Sequence, residues 1–113
     1  SRASEVITPV TDRKSALEGD NVTLSCNYSG SARGVQWYRQ YAGSPLQFLI
    51  LEYSGVTIEA NPPVPGININ HRKTEIHVDL EISSAAVTDS ALYYCALQPT
   101  VTGNTLHAIQ KAV

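Results

Sequence analysis

Asp89-Ser90-Ala91-Leu92-Tyr93-Tyr94-Cys95 is the stretch that decides the fold of this chain. Tyr93 lies two residues before Cys95, and this spacing is typical of the tyrosine corner found before the second cysteine of certain β-sandwiches. Successive residues of a strand face opposite sides of a sheet, so Tyr93 and Cys95 share the inward side and Tyr94 takes the outward side. The stretch therefore predicts a late strand that carries a cysteine into a core.

Cys26 is the other cysteine of the chain, and it lies in an early run in which apolar and polar residues alternate. Metal sites usually need more ligands at closer spacing, so a lone pair this far apart indicates one disulfide across a core. Closing so long a loop would stabilise the fold by about 4 kcal/mol on the chain-entropy account. Trp37 follows in the next alternating run, where it can pack on the bridge. With Tyr93 and Cys95, these residues predict an immunoglobulin-type sandwich.

The other runs also alternate with period two, and turn residues separate them. The sequence shows no helical stripe of any length, so an all-β fold is expected. In the run from Ile76 to Ile82, the apolar residues, Leu80 among them, are expected to face the core. The alternate polar residues are expected to form the solvated side of the same strand: His77, Asp79 and Glu81. The polar segment 71–74 is expected to form a hairpin tip.

Length and composition are those of one ordinary domain. The chain has 113 residues, of which 42% are hydrophobic and 16% charged, so a core is expected and disorder is not. A net charge of −2 is too weak to favour nucleic acid or a membrane surface as a partner. The sequence has no apolar run near the roughly 20 residues that span a bilayer, and no signal-peptide pattern. An ectodomain fragment with its anchor elsewhere is expected.

Two segments match the acceptor signal for N-glycosylation, which makes Asn21 and Asn27 candidate glycosylation sites. Sequons and a disulfide together favour an oxidising compartment. We therefore expect this chain at the extracellular face of the plasma membrane.

The long gap between Trp37 and Tyr94 leaves room for the extra central strands of a variable-type immunoglobulin domain. On its motifs the chain resembles a T-cell receptor alpha (or delta) chain variable domain over residues 5–104, and the mixture resembles a bony-fish receptor more than a mammalian one. The resemblance implies an all-β immunoglobulin variable-type sandwich of two antiparallel sheets with Greek-key connections. The segments that carry it are Leu17–Asp20, Trp37–Tyr41, Leu46–Ile50, Leu80–Ala85, Asp89–Cys95 and Tyr94–Leu97.

Strand parity also selects an outward surface. If Trp37 and Cys95 point inward, then Tyr38, Gln40 and Tyr94 point outward from the same sheet, and tyrosine is enriched at interfaces. Pro45 and Leu46 would extend this patch. The resemblance implies that the surface pairs with a second variable domain, with Gln40 bonded to a matching glutamine. The alternative is that scattered surface tyrosines carry no function.

Three loops are expected at one end of the sandwich, over residues 28–34, 52–57 and 97–104. Their Ser, Gly, Tyr, Asn and Thr content is that of antibody-like binding loops, although ordinary loops share it. The resemblance favours binding, and it implies a ligand of peptide presented by a histocompatibility molecule. The candidate contact residues are Tyr28, Ser31, Arg33, Tyr53, Ser54, Gln98, Pro99 and Thr100.

The two ends of the chain depart from the resemblance. The Phe-Gly-X-Gly motif of a joining segment is missing from residues 105–113, which form either an atypical last strand or a tail. Without the glycines, a bulge in this strand is not expected. We consider two origins for the segment, germline sequence beyond an unrearranged variable gene and a cloning artefact. Residues 1–4 are interpreted as a cloning remnant or a disordered N-terminus.

No catalytic residue, cofactor or metal is predicted. His71, His77 and His107 lie on separate segments without a carboxylate or cysteine at ligand spacing, and the sequence has no Ser-His-Asp order or phosphate loop. Asp89 is interpreted as structural, with Arg72 or Lys73 as candidate partners. The leading hypothesis is an antigen-receptor domain that pairs with a beta-type domain. The alternative is an innate-type receptor or coreceptor domain that homodimerises and binds a fixed ligand.

Overall fold

The alternating runs of the sequence form strands in the computed structural model, which describes residues 6–10, 19–30, 32–83 and 91–98 and the backbone of residues 107–112. One short 3-10 turn, Lys73–Glu75, separates two of the strands in these residues. The strands are β1 Ile7–Pro9, β2 Val22–Tyr28, β3 Gly34–Gln40, β4 Gln47–Tyr53, β5 Val56–Glu59, β6 Ile67–Arg72, β7 His77–Ile82, β8 Leu92–Gln98 and β9 His107–Ala112.

The strands form two antiparallel sheets that face each other. One sheet has the order β1-β2-β7-β6, and the other has the order β5-β4-β3-β8-β9. Neighbours in each sheet are often distant in sequence, as β2 and β7 are, so the connections cross between the sheets. This arrangement confirms the predicted variable-type immunoglobulin sandwich.

The core between the sheets is built around the disulfide. Cys26 and Cys95 are bonded, with a Cα–Cα distance of 6.8 Å. Trp37 lies directly opposite Cys95 in the β3–β8 register, and its side chain is fully buried. Tyr93 and Leu80 are buried in the same cluster. The residues chosen from the sequence as the core thus occupy it.

Asp79 does not lie on a solvated side of β7, and that prediction was wrong. It is only 6% exposed, because neighbouring strands supply partners for its carboxylate. Ser25 donates a hydrogen bond of 2.5 Å to Oδ1, and Arg72 donates one of 3.0 Å to Oδ2. His77 Nε2 lies 2.7 Å from Oδ1. Burying a carboxylate is tolerated when it is paired and hydrogen-bonded in this way.

Ile76 was expected in the core, and this expectation was also wrong. It follows the 3-10 turn with a φ of 48°, in the left-handed region that a β-branched residue rarely adopts. The backbone therefore leaves the period-two pattern at this point, and the side chain is exposed. In the predicted hairpin tip of residues 71–74, Lys73 and Thr74 lie in the 3-10 turn, whereas His71 and Arg72 belong to β6.

β9 pairs with β8 in a regular antiparallel register, from Leu92↔Ala112 to Leu97↔His107. A strand thus follows the third loop even though residues 105–113 lack the joining motif. Leu106 lies outside the described residues, as do residues 1–4 and Asp89. Among the described residues, Arg72, one of the partners considered for Asp89, is bonded to Asp79 and lies 3.6 Å from Glu75.

Candidate recognition surfaces

The outward side of the five-stranded sheet, called here the outward face, carries a cluster of aromatic residues. Tyr38 of β3 lies directly opposite Tyr94 of β8 in the register, and both are half-buried. The ring of Phe48 meets the Tyr38 ring edge-on, at a centroid distance of 5.6 Å. Phe48 reaches this face because the β3–β4 register shifts after Trp37. Sequence reasoning missed Phe48, since it lies in an apolar run whose parity a bulge alters.

Hydrogen bonds hold the polar groups of the outward face in place. The Tyr38 hydroxyl donates to Gln36 Oε1 at 2.6 Å, and burial raises the pKa of Tyr38 above its ordinary value. Gln40 Nε2 donates to the Ser44 carbonyl at 3.0 Å, and the Tyr94 hydroxyl lies 3.4 Å from Gln40 Oε1. The face is therefore ordered within the chain itself.

Exposed apolar residues extend the outward face at both margins. Leu46 is 48% exposed, and Pro45 beside it is exposed as well. On the other margin, Ile58 of β5 lies opposite Leu51 of β4, and Ile58 is 49% exposed. Isolated exposed apolar residues need no explanation, whereas large apolar patches often mark interaction surfaces, which makes the outward face a candidate surface.

The opposite end of the strands from the Ala42–Pro45 turn, called here the loop end, carries the strand ends that lead into the predicted binding loops. The registers place Gly34, Tyr53 and Gln98 side by side at this end. A Cβ on Gly34 would lie 2.7 Å from the Glu52 carbonyl, so the close approach of β3 and β4 requires glycine there. Ser31, Pro99 and Thr100 lie outside the described residues.

The second loop is shorter than predicted. β4 runs through Tyr53 and β5 begins at Val56, so the loop is the two-residue turn Ser54-Gly55, with both residues at positive φ. Tight hairpin turns favour such φ values. Arg33 of the first loop lies over the Tyr53 ring at 5.6 Å, and its carbonyl accepts a hydrogen bond of 3.4 Å from Ser54 N–H. The first and second loops are therefore in direct contact.

Tyr28 is not an exposed loop residue, and its prediction as a contact residue was wrong. It is the last residue of β2 and is 6% exposed, because its side chain points between the sheets. Its hydroxyl lies 2.6 Å from His71 Nε2. Burial, and after it the Glu52 carboxylate, raises the pKa of Tyr28 above its ordinary value.

His71 and Glu52 are polar residues of the loop end that sequence reasoning did not select together. His71 Nδ1 lies 2.7 Å from Glu52 Oε1, and the two side chains are only 1% and 15% exposed. Glu52 Oε2 also accepts a hydrogen bond of 2.7 Å from Gly55 N–H. Within the described residues, no group of three His, Cys, Asp or Glu side chains could hold a metal ion.

The two sequon asparagines lie away from the outward face. Asn21 is exposed just before β2. Asn27 is exposed on the outer side of the four-stranded sheet, where its Oδ1 lies 2.6 Å from His77 Nδ1. Both side chains are thus accessible from solvent.

Comparison with known proteins identifies the family. The Immunoglobulin V-set domain profile matches residues 10–112. Human T cell receptor alpha variable 3 is 36% identical over 98 residues, covering 86% of this chain and 83% of the relative. The chain belongs to the immunoglobulin V-set family, among the variable domains of T-cell receptors.

Further relatives of this V-set domain come from both receptor chain types. Human T cell receptor alpha variable 14/delta variable 4 is 34% identical over 83 residues, covering 72% of this chain and 70% of the relative. Human T cell receptor beta variable 5-1 is 37% identical over 78 residues, covering 69% and 68%. The family consists of receptor domains, not enzymes.

A solved structure supports the fold of this V-set domain. A chain of the structure described as "Structural basis of T cell specificity and activation by the bacterial superantigen toxic shock syndrome toxin-1" superposes with a TM-score of 0.86. It covers 96% of this chain and 97% of its own length, at 20% sequence identity. In the part of the chain that the structure describes, none of the helices has the length and apolar character needed to cross a membrane.

Proposed function

We propose that this V-set domain is the antigen-recognition domain of an alpha-type T-cell receptor chain. It pairs with a beta-type variable domain through the outward face, and its loop end binds peptide presented by a histocompatibility molecule. It acts at the extracellular face of the plasma membrane, with Asn21 and Asn27 as its glycosylation sites. The alpha variable 3 relative, which covers most of both chains, supports the alpha type.

The observation that carries the pairing proposal is the ordered aromatic cluster of Tyr38, Phe48 and Tyr94 on the outward face. Ring contacts and hydrogen bonds fix the cluster before any partner binds. A partner therefore meets a surface whose side-chain entropy is already largely lost, which lowers the cost of association. One hydrogen of the Gln40 side-chain amide is donated to the Ser44 carbonyl. A side-chain amide carries a second hydrogen, which can be donated to a partner.

Ligand recognition at the loop end has a chemical signature of its own. Arg33 is exposed and rests on the Tyr53 ring, so its guanidinium is held between the first and second loops. A stacked guanidinium presents a planar set of donors that suits a carboxylate. Gln98 at the end of β8 lies beside them. These three described residues are the proposed contacts of this end.

Sedimentation velocity of the chain alone, and then mixed with a beta-type variable domain, tests the pairing. We expect a heterodimer that Leu46→Glu weakens at least about tenfold, since a charge would be buried against the partner. Val10→Glu is the matched control, because Val10 is equally exposed but lies beyond β1, away from the outward face. Equal effects of the two substitutions would contradict pairing through the outward face.

The alternative function is an innate-type domain that pairs with itself and binds a fixed ligand. The observation that favours it is the last strand, where His107–Ala112 pairs with β8 although the joining motif is missing. The same sedimentation experiment separates the two functions. A tight homodimer that ignores beta-type domains and is disrupted by Leu46→Glu would establish the alternative.

A further inference from the structure

Three strands of this V-set domain carry a largely buried side chain with a polar group where they reach the loop end. Tyr28 ends β2 just before the first loop, and Glu52 lies near the end of β4 just before the second loop. His71 lies near the end of β6, just before the turn of residues 73–76 that leads into β7. Although Tyr28 and His71 are 43 positions apart in the sequence, the Tyr28 hydroxyl lies 2.6 Å from His71 Nε2.

The donors and acceptors of these groups form one directed chain. The oxygens of an ionised Glu52 only accept, so His71 Nδ1, at 2.7 Å, carries a hydrogen. His71 Nε2 is then able to accept the Tyr28 hydroxyl hydrogen. Burial keeps that hydrogen in place, since it raises the pKa of Tyr28. Gly55 N–H donates to the second Glu52 oxygen, so the chain ends on the backbone of the second loop.

Two backbone hydrogen bonds, separate from the side-chain hydrogen bonds of Tyr28, His71 and Glu52, join the same segments. Tyr28 N–H donates to the Ile76 carbonyl at 3.0 Å, which links the base of the first loop to the turn before β7. Ser54 N–H donates to the Arg33 carbonyl at 3.4 Å, which links the second loop to the first. The first loop, the second loop and the turn before β7 are therefore connected both by the buried side chains and by backbone hydrogen bonds.

We propose that Tyr28, His71 and Glu52 form a hydrogen-bond relay that couples the position of the Ser54-Gly55 turn to the first loop and to the turn before β7. Hydrogen bonds in a low-dielectric interior are strong, and a buried polar group that loses its partner is costly. A displacement of one relay member therefore moves the others with it. The residues act as positioning residues, because their side chains contact one another and are largely covered: Tyr28 is 6% exposed, and the side chains of His71 and Glu52 are 1% and 15% exposed.

The relay extends the proposed function, on which its consequence for binding rests. If the loop end binds a ligand, the second loop is presented in a position set partly by Tyr28, which lies on the opposite sheet. The turn before β7, with the exposed Ile76, then belongs to the same coupled surface. The coupling itself is a property of the free domain and needs neither partner nor ligand.

Tyr28→Phe tests the relay, with Tyr38→Phe as its matched control. Each substitution removes one tyrosine hydroxyl that makes a 2.6 Å hydrogen bond, from buried Tyr28 in one variant and from half-buried Tyr38 in the other. We expect Tyr28→Phe to speed hydrogen exchange at the Gly55 amide by about 2- to 10-fold, the range of one net hydrogen bond. Glu52→Gln removes the acceptor charge directly and should speed it at least as much. Tyr38→Phe should leave Gly55 exchange unchanged.

The ring nitrogens of His71 give a second readout that a loss of packing alone would not move. We expect Tyr28→Phe to shift the ¹⁵N resonance of His71 Nε2, which loses its donor, while Tyr38→Phe does not. In the double variant Tyr28→Phe/Glu52→Gln, Gly55 exchange should rise by less than the product of the two single effects. Equal Gly55 exchange in the two tyrosine variants, or single effects that multiply, would overturn the relay. Both measurements use the chain without a partner, so failure of the pairing experiment leaves their outcome intact.

Discussion

The outer faces of the two sheets follow the same alternation rule but differ in chemistry. On the four-stranded sheet, the outward side chains are polar and satisfy each other, as Ser25, Arg72 and His77 do around Asp79. On the five-stranded sheet, they are largely aromatic or aliphatic, with Tyr38 and Phe48 in ring contact. The comparison teaches that periodicity identifies the outside of a sheet, whereas the residues at the alternate positions decide whether that outside is a polar network or an apolar surface.

Trp37 supports both faces, so its removal should have the largest effect. The side chain is fully buried beside the disulfide, between the sheets. We expect Trp37→Ala to lower the free energy of unfolding by about 3–5 kcal/mol, through lost burial and a cavity. Urea denaturation measures this change. A loss below about 1 kcal/mol would show that the two faces do not depend on a common packed core.

The polar face should be the more sensitive of the two faces to a single atom change. Asp79→Asn keeps the shape of the side chain but replaces an acceptor oxygen with a donor among Arg72, His77 and Ser25. We expect a loss of about 1–3 kcal/mol in the free energy of unfolding, because these donors would then face a mismatched group. Chemical denaturation at neutral pH is the measurement.

Glu81→Gln is the control for that substitution on the same strand and face. Glu81 accepts one exposed hydrogen bond of 2.9 Å from Asn68, so its loss should stay within about 0.5 kcal/mol. If the two substitutions cost the same, the carboxylate of Asp79 is not the centre of the polar face, and the contrast between the sheets weakens.

Sequence patterns correctly predicted the features of the fold that depend on residues close together in the sequence. The alternation around Cys26, Trp37 and Tyr93 was sufficient to locate the core, and the same parity placed Tyr38 and Tyr94 on the outward face. The resemblance to receptor variable domains supplied the family, which the V-set match and the T-cell receptor relatives confirm. The fish origin and the absence of a joining segment remain predictions.

The residues that were placed wrongly depend on partners distant in sequence. Tyr28 was assigned to a loop because strand ends are poorly marked, and its acceptor on His71 lies 43 positions away. Asp79 was assigned to solvent because its bond to Ser25 spans 54 positions. Phe48 was overlooked because a register shift changes its parity. Local periodicity carries no information about such pairings.

The smallest expected effect is the change in alkaline stability on substitution of Tyr38. It tests whether the outward face has a partly desolvated centre. Burial raises the pKa of Tyr38 above its ordinary value, so the unfolded chain loses this proton at a lower pH than the folded domain does. The stabilising contribution is therefore complete below the unfolded pKa, near 10, and is lost as pH rises through the folded pKa. Tyr38→Phe should make the alkaline loss of stability shallower than in the parent domain.

Thermal unfolding followed between neutral pH and about pH 11, with tyrosinate absorbance recorded in parallel, measures this slope. Tyr53→Phe is the control, because Tyr53 lies at the loop end, away from the cluster of Tyr38 and Phe48. Binding of a partner to the outward face should steepen the slope more in the parent than in Tyr38→Phe, since burial of the Tyr38 ring would then be more complete. If the slopes of the parent and Tyr38→Phe coincide, Tyr38 is as hydrated in the folded domain as in the unfolded chain, and the outward face has no desolvated centre to offer a partner.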